Sequence, residues 1–158
     1  MDRVKISGTD EAGRGCVVGP LAIATVILSR KSARKLRALG AKDSKKLSPR
    51  RRAELAPIVK RLSRSFQLTL VPPALIDRYV MKLEKFKTLN KLEAEVIASQ
   101  LNALRPRRAY LDSPYPNPRV FTRMIRSGFA TARMRAMTSL KKSSPPVIGS
   151  HLLSWNGR

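Results

Sequence analysis

Between Thr9 and Pro20 the chain reads Thr-Asp-Glu-Ala-Gly-Arg-Gly-Cys-Val-Val-Gly-Pro. Asp10 and Glu11 close an alternating run (Val4, Ile6) that reads as a strand, and Gly13, Arg14 and Gly15 follow them. Strand side chains alternate between faces, so two neighbouring carboxylates can share a ligand only where the strand ends and the backbone bends. Gly13 and Gly15 permit that bend and let another backbone come close. Acids, glycine and arginine then crowd one turn, and in a basic chain that combination points to a hard cation held next to a phosphate.

Charge indicates what such a turn would serve. Lysine and arginine number 33 against 10 acids, a formal net charge of +23. Self-repulsion of that size disfavours a compact monomer unless a polyanion or locally placed acids offset it, which makes nucleic acid the first partner to consider. A merely solvated basic surface is the competing reading. A length of 158 residues with 42% hydrophobic content fits one domain around one core. Cys16 stands alone, which excludes an internal disulfide and fits a reducing compartment. The start carries Asp2, Arg3 and Lys5, and the longest apolar run, Cys16 to Leu28, is too short to span a bilayer and is broken by Gly19-Pro20. No targeting or membrane segment is expected, and the chain is expected to be cytoplasmic and monomeric.

In order, the strand and acid turn lead to a second apolar run, Leu21 to Leu28, forming a hairpin-like pair through Gly19-Pro20. A basic, helix-compatible stretch from Arg30 to Arg37 ends at Gly40. Then come Lys42-Asp43-Ser44-Lys45-Lys46-Leu47 and Ser48-Pro49, a serine N-cap with proline at the first helical position, so a helix is predicted from about Pro49 to Ser63. The lysines lie on the loop before it, where backbone amides with Lys42, Ser44 and Lys45 would suit a phosphate; a solvated charge run is the alternative. Phe66 to Val71 alternates as a third strand ended by Pro72-Pro73, and a short helix through Ile76, Tyr79 and Val80 follows. From Leu89 to Leu104, Leu89, Leu92, Val96, Ile97, Leu101 and Leu104 recur at helical spacing, which predicts a core-packing helix with Lys91, Glu95 and Gln100 outward. Glu93 reads equally as a surface charge or a lysine's partner.

Ala109-Tyr110-Leu111-Asp112-Ser113-Pro114 reads as a short strand ending in an acid and a turn. That repeats the geometry of Asp10. If the two strands are neighbours, Asp10, Glu11 and Asp112 converge at the carboxyl ends of an α/β sheet, within metal-ligand reach. An aspartate at a strand end is by itself more often a turn-former.

Asp10-Glu11-Ala12-Gly13-Arg14-Gly15, the Lys42 to Leu47 run, and the Leu89 to Leu104 helix followed by Leu111-Asp112-Ser113-Pro114 resemble the ribonuclease HII family in order and spacing. The resemblance covers roughly Val4 to Arg126. It implies an α/β, RNase H-like fold: a mixed five-stranded sheet flanked by helices, with a catalytic domain over residues 1–129 that is incomplete and a tail over 130–158 unlike the family. It also implies an endonuclease of DNA replication and repair, cutting the RNA strand of RNA/DNA hybrids or single ribonucleotides in duplex DNA and leaving 5′-phosphates. By the same resemblance Asp10, Glu11 and Asp112 are catalytic and bind Mg²⁺ or Mn²⁺. Gly13, Arg14 and Gly15 contact nucleotides at the cleavage point, and the loop of Lys42, Ser44 and Lys45 holds the backbone. The chemistry agrees, since carboxylate-held cations assist in-line attack of water on a phosphodiester, and backbone amides near Gly13 and Gly15 could contact the 2′-hydroxyl.

The family places a fourth carboxylate beyond Asp112, ahead of a Pro-Val-Val-Ala-Ala-Ala-Ser-Ile-like run, but no Asp or Glu follows Asp112 here. From Ala130 to Arg158 the tail shows no convincing period and reads as irregular. A reading-frame error would explain it. Met137-Thr138 is encoded ATG-ACN, and the register one base back contains GAC, an Asp; in that register Lys142-Ser143-Ser144-Pro145-Pro146, with TCN serines, can read Val-Val-Ala-Ala. Without the fourth acid, cleavage is expected to be much reduced. A non-catalytic nucleic-acid-binding protein, with Asp10 and Glu11 pairing to arginines, is the alternative from a different class.

Overall fold

The computed structural model describes residues 5–16, 18–81 and 88–127, and the backbone of 134–136 and 151–155. Strands β1 (Ile6–Ala12) and β2 (Leu21–Leu28) pair antiparallel from Ile6↔Leu28 to Ala12↔Ala22. Helix α1 (Arg30–Ala38) begins at Ser29, whose hydroxyl accepts the Ser32 N–H at 2.9 Å. A 3₁₀ turn (Ser44–Lys46) precedes α2 (Pro49–Leu62), which starts at the predicted Ser48-Pro49, with Ser48 Oγ accepting the Arg51 N–H at 3.2 Å. Strand β3 (Ser65–Val71) is ended by Pro72 and followed by α3 (Pro73–Val80). Thr88 caps α4 (Leu89–Leu104), and β4 (Arg108–Leu111) and α5 (Pro118–Ser127) follow.

The sheet is mixed, in the order β3-β2-β1-β4-β6-β5, with β5 (Met134–Ala136) and β6 (His151–Trp155) as short additions from the tail. β1 and β4 run parallel; every other neighbouring pair is antiparallel. Among the described residues four strands carry the body and two short tail segments extend the sheet to six, so a count of five is not confirmed. The tail, expected to be irregular, contributes backbone pairing of β6 to β4. The frame-error reading rests on Met137, Thr138 and residues 142–146, which lie outside the described residues.

Helix α4 lies across one sheet face. Leu92, Ile97 and Leu101 meet Leu21, Ile23, Val71, Ala109 and Leu111, with Phe121 and Ile125 of α5 closing the cluster. Each of the larger side chains, alanine aside, contributes roughly 1.5–3 kcal/mol on burial. Contrary to the outward orientation expected from periodicity, Gln100 is wholly buried. Its amide donates to Ile23 O at 2.9 Å and Thr69 Oγ1 at 2.8 Å, and its carbonyl accepts from Thr25 Oγ1 at 2.6 Å. The polar atoms are all paired, so a glutamine is tolerated where the helical wheel alone places it at the stripe's margin. Glu95 does face out, accepting the Tyr79 hydroxyl at 2.7 Å, and Lys91 is half-buried.

Candidate active site at one edge of the sheet

Parallel pairing of β1 and β4 sets Thr9 beside Leu111, so Asp10 and Asp112 are the next residues on adjacent strands. Neighbouring strands lie about 4.8 Å apart, and this register is what brings acids so distant in sequence to one edge. The bend, however, falls later than the sequence suggests: β1 continues to Ala12, so Asp10 and Glu11 occupy successive strand positions and the chain turns at Gly13. Thr9 is buried against the core, Asp10 exposed and Glu11 half-buried, as alternation requires. Asp10 Oδ1 accepts the Glu11 N–H at 3.0 Å, and Asp112 Oδ1 accepts the Ser113 N–H at 2.9 Å.

The carboxyl pKa values of Asp10 and Glu11 are both raised. Burial, then the charge of Asp112, push the Asp10 carboxyl above its ordinary value against the opposing pull of the Glu11 N–H and Lys45. Burial followed by the charges of Asp10 and Asp112 raises Glu11, with Arg14 acting the other way. Burial joined by neighbouring negative charge marks a site short of positive charge.

Gly13 and Gly15 hold φ of +86° and +76°. A Cβ on Gly13 would lie 2.7 Å from Pro20 O, so this glycine is required both by conformation and by close backbone approach. Nothing lies within 4 Å of the corresponding position on Gly15, which leaves that side of the turn open. Arg14, a nucleotide contact by the family resemblance, donates to Glu93 Oε2 at 2.6 Å and to Asn90 Oδ1 at 2.5 Å, both on α4. Glu93 is only 2% exposed. Its burial drives the carboxyl up to about 7, with Arg14 opposing and Glu11 adding to the rise. The sequence left Glu93 undecided, yet a signal was present: Leu89, Glu93 and Ile97 share one helical row, which puts a carboxylate on the apolar stripe. Glu11, Arg14, Glu93, Asp112, Ser113 and Phe121 line one cleft of about 310 Å³.

The lysine loop arrives at the same edge. Lys45 and Asp43 both act electrostatically on Asp10. Asp43 Oδ1 accepts the Lys45 N–H at 3.0 Å, shaping the 3₁₀ turn, and Lys42, Ser44 and Lys45 are exposed. Ser44 O accepts from Arg52 at 3.0 Å, leaving its hydroxyl and the lysine ammonium groups to the solvent side.

Among the described residues, no three His, Cys, Asp or Glu side chains are grouped so as to hold a metal ion as they stand. The parallel register brings Asp10 and Asp112 to one edge, whereas Glu11 occupies the next, face-alternating position of β1, and no closed ligand shell is formed among the described residues. The donor chemistry nevertheless fits a divalent cation: hard carboxylate oxygens beside a cleft, with Asp10 and Glu11 raised first by burial and then by neighbouring acids. No described helix is long and apolar enough to cross a membrane.

A mixed sheet with a central parallel pair, helices packed on it and acids at one edge is an RNase H-like fold. A family model, Ribonuclease HII, matches residues 7–138. Ribonuclease HII of Pyrococcus horikoshii is 38% identical over 127 residues, covering 79% of this chain and 55% of the relative. That of Archaeoglobus fulgidus is 42% identical over 119 residues, covering 75% and 55%. The crystal structure of ribonuclease H2 from Pyrococcus horikoshii superposes with a TM-score of 0.70 at 33% identity, covering 94% of this chain and 63% of that one. The structure of Bst-RNase HIII in complex with Mn²⁺ superposes with a TM-score of 0.63 at 22% identity, covering 77% of this chain and 40% of that one, a likeness of fold alone. The chain belongs to the ribonuclease HII family, and it spans about half the length of the curated relatives it matches.

Proposed function

We propose that this edge serves a divalent-metal-assisted endoribonuclease. Its substrates would be the RNA strand of RNA/DNA hybrids and single ribonucleotides in duplex DNA, with 5′-phosphate ends left behind. The observation that carries the reading is the parallel register that sets Asp112 beside Asp10, with Glu11 next in line. Asp10, Glu11 and Asp112 would hold Mg²⁺ or Mn²⁺, which when bound lowers the pKa of water and offsets charge on the phosphate. The chain's own residues supply the rest. Gly13 and Gly15 keep the turn low enough for a nucleotide to approach, and its backbone amides are suited to a 2′-hydroxyl, the group that distinguishes RNA. Lys42, Ser44 and Lys45 would grip the phosphate backbone beside Asp10, so binding weakens steeply with salt. With no acid after Asp112, we expect weak cleavage from this chain and stronger cleavage from the gene re-read one base back across Ala130 to Arg158. The enzyme would work in the cytoplasm as a monomer, with nucleic acid as its partner.

The alternative, a binder whose Asp10 and Glu11 neutralise arginines, loses its nearest candidate because Arg14 is committed to Glu93. The deciding experiment is Mg²⁺-dependent nicking of a duplex carrying one ribonucleotide. Nicking that disappears in Asp10→Asn while binding persists supports the enzyme. Salt-sensitive binding without cleavage, even after the tail is re-read, overturns it.

A further inference from the structure

Glu93 is a buried charge that the acid edge does not use. Its side chain is 3% exposed, one oxygen meets Arg14 at 2.6 Å, and the other, Oε1, has no partner among the described residues. Asn90, one helical turn earlier, takes the second arm of the same guanidinium at 2.5 Å. Two acceptors three residues apart on α4 face the same way and match the planar fork of an arginine. Buried ion pairs add little net stability compared with apolar packing of the same volume, so stability alone is a poor account of this one.

The position of Arg14 supplies a better account. It sits on the turn directly after Glu11, and Glu11, Arg14, Glu93 and Asp112 line one cleft. Already its charge reaches Glu11. A guanidinium swung onto Glu11 would satisfy itself and occupy the negative charge a divalent ion requires. We propose that Glu93, with Asn90, is a positioning residue that holds Arg14 against α4 and away from Glu11, so that Glu11 and Asp112 remain available to a divalent cation. This rests on the metal-binding reading of the edge. Glu93 sets the competition between an internal cation and an external one, without contacting substrate.

The test is Mn²⁺ titration of the full chain without nucleic acid, followed by calorimetry and by the electron paramagnetic resonance of free Mn²⁺. The unaltered chain should bind Mn²⁺, and Asp10→Asn should lose it. Glu93→Gln should weaken binding about tenfold, as expected when a positive group moves next to a cation site. Adding Arg14→Gln to Glu93→Gln should restore it, a rescue that a merely structural role would not give. Asn90→Ala should act in the same direction by less; if Glu93→Gln fails to fold, unchanged Mn²⁺ affinity in Asn90→Ala overturns the proposal. Glu93→Gln binding like the unaltered chain, or a double variant as weak as the single, also overturns it while leaving the metal reading intact. An unaltered chain that takes up no Mn²⁺ overturns the metal reading itself, and this inference with it.

Discussion

The acid turn and the lysine loop meet at one edge of the sheet, but they are held by opposite means. Arg14 is tied to residues 76 and 79 positions away. In the lysine loop the bonds span no more than 12 positions: Asp43 to the Lys45 N–H, Ser48 to the Arg51 N–H, Arg52 to Ser44 O and Leu47 O, and Arg51 to Leu39 O. One half of the site takes its place from α4, the other takes its shape from its own sequence. The physical lesson is that the half which must hold several like charges close together needs support from a packed helix. The half proposed to grip a solvated phosphate backbone needs only the right local turn.

That contrast can be broken most sharply at the acids. In the chain re-read one base back across the tail, Asp112→Asn should cut nicking of a ribonucleotide-containing duplex roughly 10³-fold if cation assistance supplies several kcal/mol, while gel-shift affinity is kept. Within the acid turn, Gly13→Ala should destabilise the fold by about 3 kcal/mol in urea unfolding, from left-handed strain plus the 2.7 Å approach to Pro20 O. Gly15→Ala, strained but uncrowded, should lose only about 1 kcal/mol.

Glu93 adds a pH dependence peculiar to the long-range half. Burial raises its folded-state pKa from 4.5 to about 7, so the folded state holds the proton more tightly. Its contribution to stability is then full below about 4.5 and is lost as pH rises towards 7. Over that window the unaltered chain should lose on the order of 2 kcal/mol relative to Glu93→Gln, read from unfolding curves at the two ends.

In the local half, smaller effects are expected. Ser48→Ala should remove about 1 kcal/mol by unsatisfying the first turn of α2, with unfolding midpoints as the measure. Lys45→Ala should leave stability unchanged and reduce the salt slope of duplex binding by about one phosphate contact. A large effect of Lys45→Ala on folding would blur the comparison; a purely ionic one sharpens it.

Much of this architecture was legible beforehand. Ser48-Pro49 marks the start of α2, Pro72 ends β3, and the apolar period of Leu89 to Leu104 marks α4 from end to end. Capping, proline geometry and helical period act within a few residues, so the chain states them directly. Of the candidate site, the residue types and their order were readable, and the structure sets Asp10 and Asp112 on adjacent strands with the glycines at a turn. Less legible was where β1 stops: the bend waits until Gly13 because the ladder with β2 runs on to Ala12↔Ala22.

The chain alone determined which segments become helices and strands, that its surface is strongly basic, and that three acids and a glycine-arginine turn belong to the ribonuclease HII pattern. Only the packed structure decided that Gln100 points inward, that Arg14 belongs to Glu93 and Asn90, and that Asp10 and Asp112 share a level of the sheet. The reason is range. Backbone preference is settled by nearest neighbours, whereas the fate of a polar side chain depends on which distant surface closes over it and what donors that surface brings.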